Sequence, residues 1–215
     1  GKWYYSNHRE QAEHTVPELA PLLAQIEEPH KHLHLSAVAI GDAYVDVDRT
    51  LGGFLREKQT DHLEWKGSVA LLLLDPTYTG DDIITDHTQC SLGQWLYSDE
   101  VEQRRDSDGA FDQAIEPIYD PHQQLHQTAV EVMRLRDSGD TAGARAFYNA
   151  RTSQYADETL AAIDGLIGWH DGQVNQLDRA ADIYATETKT SLGEVQSLLG
   201  EIVDTAQANI MTDQV

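Results

Sequence analysis

From Leu33 to Leu72 an inward candidate recurs every three or four residues: Leu33, Ala37, Gly41, Tyr44, Asp48, Leu51, Leu55, Lys58, His62, Trp65, Val69 and Leu72. That is the period of a helix, whose residues return to one face every 3.6 positions. Most of the stripe is apolar, with Asp48 and Lys58 interrupting it and Gly41, Gly52 and Gly53 weakening it. A helix continuous from Pro29 to Leu74 is about 70 Å long. The end of the chain carries a second stripe: Val174, Leu177, Ala181, Tyr184, Thr188, Val195, Leu199, Ile202, Ala206 and Ile210. Its near-heptad spacing suits bundle or coiled-coil packing. No strand-like alternation of any length accompanies these stripes, so the expected fold is all-α, an elongated helical bundle.

Local signals punctuate the helices. Glu28-Pro29 suits a helix start with proline in first position, and Asp75-Pro76 ends that helix. Asp86 is the expected N-cap of a short helix carrying Cys90 and Trp95. That puts Cys90 in a first turn, where the helix dipole lowers a thiol pKa. Residues 99–115 are acidic and loosely patterned, and read as a loop with one helical turn. Asp120-Pro121 opens a further helix, and Ser138-Gly139-Asp140 interrupts it. A helix is expected from about Thr141 to Ile163, and Gly165 to Gly172 is a second break before the last helix.

The first forty residues align without a gap on residues 93–132. Gly1, Trp3, Tyr5, Ser6, Glu10, Gln11, Ile26, Pro29, His30, Leu33, His34, Ala37 and Val38 each meet an identical residue 92 positions later. The matches include rare residue types, which argues for an internal repeat. Gly1 pairs with Gly93, three residues after Cys90. The chain is therefore expected to start just past the cysteine of a first copy, in a parent protein that continues upstream.

Three short patterns hold the chemistry: His62-Leu-Glu-Trp65, Cys90-Ser-Leu-Gly93-Gln-Trp95 and His122-Gln-Gln-Leu-His126. His122 and His126 are four apart on one helix face, so both imidazoles reach one ion. Three imidazoles and one thiolate are a closed tetrahedral set for zinc, with no position left for water or substrate. Cys90 is the one cysteine of the chain, so no intrachain disulfide forms. A His-x-x-x-His alone is a weak signal, and the bland reading makes Cys90 a buried thiol among core histidines. That reading leaves unexplained why the one cysteine falls inside the pattern.

In this order and at these spacings the three patterns resemble the chemoreceptor zinc-binding family, a small helical-bundle domain of bacterial methyl-accepting chemotaxis receptors and some diguanylate cyclases. The resemblance covers roughly residues 55–168 and implies zinc ligands at His62, Cys90, His122 and His126, supported by Trp65, Gly93 and Trp95. It extends to two tandem four-helix modules linked by the long helix. Residues 1–50 are the C-terminal half of a first module, 51–168 a complete module and 169–215 a C-terminal signalling helix. His30 and His34 stand in the ligand positions of the first copy, as a half-site without its His and Cys. His87 and His170 read as surface residues, and Trp3, Trp65, Trp95 and Trp169 as core.

The implied function is a non-enzymatic sensory domain of a chemotaxis receptor that signals zinc or oxidant status through helix packing. The implied partners are a second copy, as a homodimer, and the rest of a membrane receptor upstream and downstream. The tandem arrangement and the unfinished ends favour an extracytoplasmic (periplasmic) position between two membrane spans, with cytoplasmic as the alternative. Two other classes compete. A di-iron oxygen sensor of the hemerythrin type needs bridging carboxylates aligned with its histidines, and has no role for Cys90. A zinc hydrolase needs an open coordination position and a general base, against which four protein ligands argue. The 37 acids and 15 bases leave a net charge of −22, which argues against nucleic acid because phosphate binding needs a basic face.

Overall fold

The structure, a computed structural model, describes residues 2–212, with side chains as far as residue 209. The Gly1–Gly93 pair and the place of Ile210 in the last stripe lie outside the described residues. The elements are α1 (Asn7–Thr15), α2 (Leu19–Gln25), α3 (Glu27–Ala43), α4 (Leu51–Leu74), α5 (Ser91–Leu96), α6 (Asp99–Ser107), α7 (Gly109–Ile115), α8 (Tyr119–Asp137), α9 (Thr141–Phe147), α10 (Ser153–Ile183) and α11 (Lys189–Thr212). A 3-10 turn, Glu116–Ile118, precedes α8, and π-helical segments occupy Tyr148–Thr152 and Tyr184–Thr188. The fold is all-α, and no strand occurs among the described residues.

The chain divides into two compact units, one from Gly1–Val47 with Val174–Val215, the other Asp48–Gln173. In the first, α3 and α11 pack around Tyr4, Ile26 and Val195, while Val16, Leu19 and Leu23 meet Ile202 and Ala206. The second has two apolar clusters. One gathers Leu51, Leu55, Leu92, Leu96, Val101, Phe111, Ile115, Ile118, Ile163 and Leu166. The other gathers Val69, Leu72, Ile83, Ala129 and Val132.

Several expectations are corrected. The helix from Pro29 to Leu74 is two helices. Tyr44 turns extended at φ −72° and ψ 129°, where Val45-Asp46-Val47-Asp48 supplies β-branched residues and aspartates that favour non-helical backbone. Asp48 then accepts from the Thr50 N–H and hydroxyl at 2.8 and 2.7 Å, a local turn from which α4 restarts. Pro29 and Pro121 each sit at the third helical position, still within the first turn, where no N–H is required.

Residues 99–115 are two helices rather than a loop. Ser98 caps α6 by accepting from Val101 N–H, and Asp108 caps α7 by accepting from Ala110 and Phe111. The apolar residues there are sparse, but Val101, Phe111 and Ile115 are all buried. Gly139 turns the chain with φ +83°, and Asp140 caps α9. The break expected at Gly165 to Gly172 is absent, because α10 runs through it. Ala156, Thr159, Ile163, Leu166 and His170 form one buried stripe, and the three glycines lie on the exposed side of the helix. His170 is therefore not a surface residue. It is 3 % exposed, and its Nε2–H donates to the Asp48 carbonyl at 2.8 Å.

Candidate metal centre

The two apolar clusters of the second unit are joined by α4 and α8. On α4, Leu55 belongs to one cluster and Val69 to the other, with His62 seven residues from each. On α8 the two histidines stand between Ile118 of the first cluster and Ala129 of the second. The third contribution is a turn. Asp86 accepts from the Thr88 N–H at 2.9 Å and shapes the bend that leads to Cys90. Asp86 is not the helix cap. Cys90 is, with its Sγ accepting from the Gly93 N–H at 3.2 Å. The thiol also donates to the His87 carbonyl at 3.4 Å.

His62, Cys90, His122 and His126 come together with one ligand atom from each within 4.8 Å of the others. All four are buried, at 3, 8, 0 and 1 % exposure, so water does not satisfy them. The imidazole tautomers are set from outside the cluster. His62 donates from Nδ1 to the Lys58 carbonyl at 2.7 Å, and His126 from Nδ1 to the Ile84 carbonyl at 2.7 Å. Each is left with a bare, buried Nε2 that has no hydrogen-bond partner among the described residues. His122 Nε2 lies 3.2 Å from Cys90 Sγ. A buried acceptor without a partner costs on the order of 1–3 kcal/mol. A cation held by those nitrogens and the thiolate removes that cost, so the donor set fits a metal ion. The group is three nitrogens and a sulfur, the soft and borderline donors zinc prefers. It holds no carboxylate, so nothing in it bridges two irons.

The surroundings tune the site. Burial lowers the His62 pKa, takes His126 down to about 4 and, with the neighbouring imidazoles, takes His122 down to about 2. Burial likewise raises the Cys90 thiol, against the opposing Gly93 and Leu92 N–H groups, so without a metal the thiol is not activated as its place near a helix start suggested. Lys58, the off-pattern charge of the α4 stripe, is 4 % exposed. Its ammonium binds Asp61 at 2.7 Å, Ser91 at 2.7 Å and Glu57 at 2.9 Å. Burial works against that charge, but the acids outweigh it and raise the Lys58 pKa. The cluster ties α4 to the residue next to Cys90. A charge on an inward stripe is the signal that marks it.

Trp65 has its ring 4.9 Å from that of His126 and its Nε1–H on the Ile84 carbonyl at 2.8 Å. Trp95 lies one step away, packed on Phe54 at 5.2 Å. His87, read as surface, is half-buried with its ring 6.0 Å from His122. His30 and His34 are brought together on α3 with their Nε2 atoms 3.1 Å apart. No third His, Cys or carboxylate joins them in a metal-sized group among the described residues.

Residues 62–133 match the model of the chemoreceptor zinc-binding domain. The matched stretch runs from the first of the four clustered side chains to just past the last. It makes zinc the ion for which this donor set is built. No curated protein and no solved structure matches the chain. The match also overturns the extracytoplasmic placement. Chemoreceptor zinc-binding domains are cytoplasmic, so the alternative placement is the one favoured, and a thiolate ligand suits a reducing compartment. The tandem pattern and the chain ends said nothing about the side of a membrane. Among the described residues no helix is long and apolar enough to cross one.

The depressed imidazoles give the metal-free chain a characteristic acid sensitivity. In the unfolded chain each histidine takes up its proton near pH 6.5, whereas folded His126 does so only near 4 and folded His122 near 2. Below pH 6.5 the unfolded state binds more protons, so stability falls as the pH falls. At about 1.4 kcal/mol per pKa unit, His126 alone accounts for on the order of 3 kcal/mol between pH 6.5 and 4. Denaturant midpoints measured in chelator at half-unit pH steps are expected to drop from pH 6.5 downward. A flat profile from pH 6.5 to 5 contradicts the buried neutral imidazoles.

Proposed function

We propose that the chain is the zinc-binding sensory region of a bacterial chemotaxis receptor. In this reading His62, Cys90, His122 and His126 are the ligands, and the protein catalyses no reaction. The observation that carries it is the cluster itself. Side chains of α4, of the turn before α5 and of α8 meet in a buried knot whose bare nitrogens need a cation. Zinc bound there fastens three segments at once, and its loss or arrival changes how they pack.

Two inputs fit such a site. One is zinc supply. The other is an oxidant such as hydrogen peroxide, whose O–O bond the Cys90 thiolate breaks to give a sulfenic acid and hydroxide, with loss of a ligand. The output is the helical C-terminal run, with residues 51–168 as the complete module and 169–215 as the signalling helix. The near-heptad stripe of α11 fits pairing with a second copy, and the remainder of the receptor supplies membrane and output segments.

Amide hydrogen exchange with and without zinc tests the sensory reading. Chelation is expected to change exchange along α10 and α11 as well as at α4, α5 and α8. Change confined to α4, α5 and α8 leaves a structural zinc site and ends the sensory reading.

A further inference from the structure

The 92-residue step found in the sequence recurs in the helices. α1 begins at Asn7 and α6 at Asp99, while α3 begins at Glu27 and α8 at Tyr119. Hydrogen bonds repeat with them. The Ser6 hydroxyl donates to the Trp3 carbonyl at 2.7 Å, and Ser98 to that of Trp95 at 2.8 Å. The Ser36 hydroxyl donates to Leu33 at 3.0 Å, and Thr128 to Leu125 at 2.6 Å. Buried positions correspond as well: Leu19 with Phe111, Leu23 with Ile115, Ile26 with Ile118 and Ser36 with Thr128. Even the helix opposite is alike, since a π-helical segment from Tyr to Thr packs on each: Tyr184–Thr188 on α3 and Tyr148–Thr152 on α8.

One face breaks the correspondence. In the second unit His122, His126 and Ala129 are buried under α4 and the Cys90 turn. In the first unit His30 is half-buried, His34 and Ala37 are exposed, and among the described residues nothing lies within 4 Å of where a side chain on Gly41 would start. The two imidazoles nonetheless converge, Nε2 to Nε2 at 3.1 Å with ring centroids 4.7 Å apart. Two nitrogens on a tetrahedral zinc at about 2.0–2.1 Å stand roughly 3.3–3.4 Å apart. The pair is already set close to one edge of a coordination tetrahedron.

We propose that His30 and His34 form a second divalent-metal site, open where the first is closed. It is the two-imidazole half of the coordination set of the second unit, built 92 residues earlier, and its other positions are free for ligands from outside α3. The ion is of the zinc class, because imidazole ligands suit zinc, nickel and copper rather than calcium or magnesium. An open site of this kind takes a water or a small thiol as its further ligand. The inference rests on the zinc reading of the second unit for its template but not for its test.

The test is a zinc titration of the metal-free full chain against a competing chelator at pH 7.5. Wild type is expected to show two classes of site, one tight and one weak, each of one ion per chain. The double variant H30A/H34A is expected to lose the weak class and keep the tight one, which also shows that the variant is folded. C90A is expected to weaken the tight class and leave the weak one untouched. A small thiol added at fixed zinc is expected to tighten the weak class in wild type and to do nothing in H30A/H34A. A wild type with the tight class alone overturns the proposal, and so does a weak class that survives in H30A/H34A, which assigns it to other surface histidines. Loss of the tight class from wild type, with the weak class present, removes the reading of the second unit alone.

Discussion

Cys90→Ala is expected to weaken tight zinc binding severely while leaving a folded helical protein. The thiolate is the one anionic donor of the set, and Cys90 joins a short turn to two long helices. Structural zinc in a site of this donor class is worth about 10–16 kcal/mol of apparent binding energy near neutral pH, and a thiolate carries a large share of it. The loss of affinity therefore exceeds the roughly 10–100-fold that follows removal of an outer-sphere partner. Lys58→Ala, which unties Ser91 and Asp61 without touching a ligand, belongs in that smaller range. Chelator competition separates the two. Equal effects for Cys90→Ala and Lys58→Ala contradict a direct ligand role for the thiol.

Gly93→Ala is the second large effect. A methyl group at Gly93 starts 1.8 Å from the His87 carbonyl oxygen and 3.0 Å from the Thr88 Cα. Both are backbone atoms of the turn that presents Cys90, so no side chain can step aside. The turn must open, breaking the Gly93 N–H to Cys90 Sγ bond and the Cys90 thiol to His87 carbonyl bond. A backbone overlap of that depth ranks among the rare substitutions that cost more than about 4 kcal/mol, and zinc affinity falls with it. Gly67→Ala is the control. Gly67 is exposed in the middle of α4, with nothing within 4 Å among the described residues, so alanine there is expected to stabilise by roughly 0.5–1 kcal/mol. Thermal melts of both variants with and without zinc show the contrast. A Gly93→Ala protein that melts and binds zinc like wild type contradicts the described turn.

The helical fold was legible because its stripes are long. The Leu51 to Leu72 positions of α4 and the inward faces of α8 and α11 recur at helical spacing and are mostly apolar. Shorter helices carried less signal. α6 and α7 each bury one or two residues in an acidic stretch, and only their Ser98 and Asp108 caps marked them. Glycine misled where a buried stripe overruled it, as at Gly165 and Gly168 on α10. That same stripe, followed three and four residues on from Ile163 and Leu166, places His170 inside. The break before α4 was hidden because Tyr44 and Asp48 fall on the helical period while Asp48 itself forms the restarting turn. The four clustered side chains were legible from their pattern, but the carbonyls of Lys58, Ile84 and His87 were not. Backbone groups leave no mark in a sequence, and these three orient two imidazoles and the thiol.

One zinc ion is expected to be held by one sulfur and three imidazole nitrogens. Zinc X-ray absorption on the chain loaded with one equivalent tests it most directly. The predicted spectrum has one sulfur at about 2.3 Å and three nitrogens at about 2.0–2.1 Å, with the sulfur shell absent in Cys90→Ala. A first shell of nitrogen and oxygen alone in the wild-type chain contradicts it.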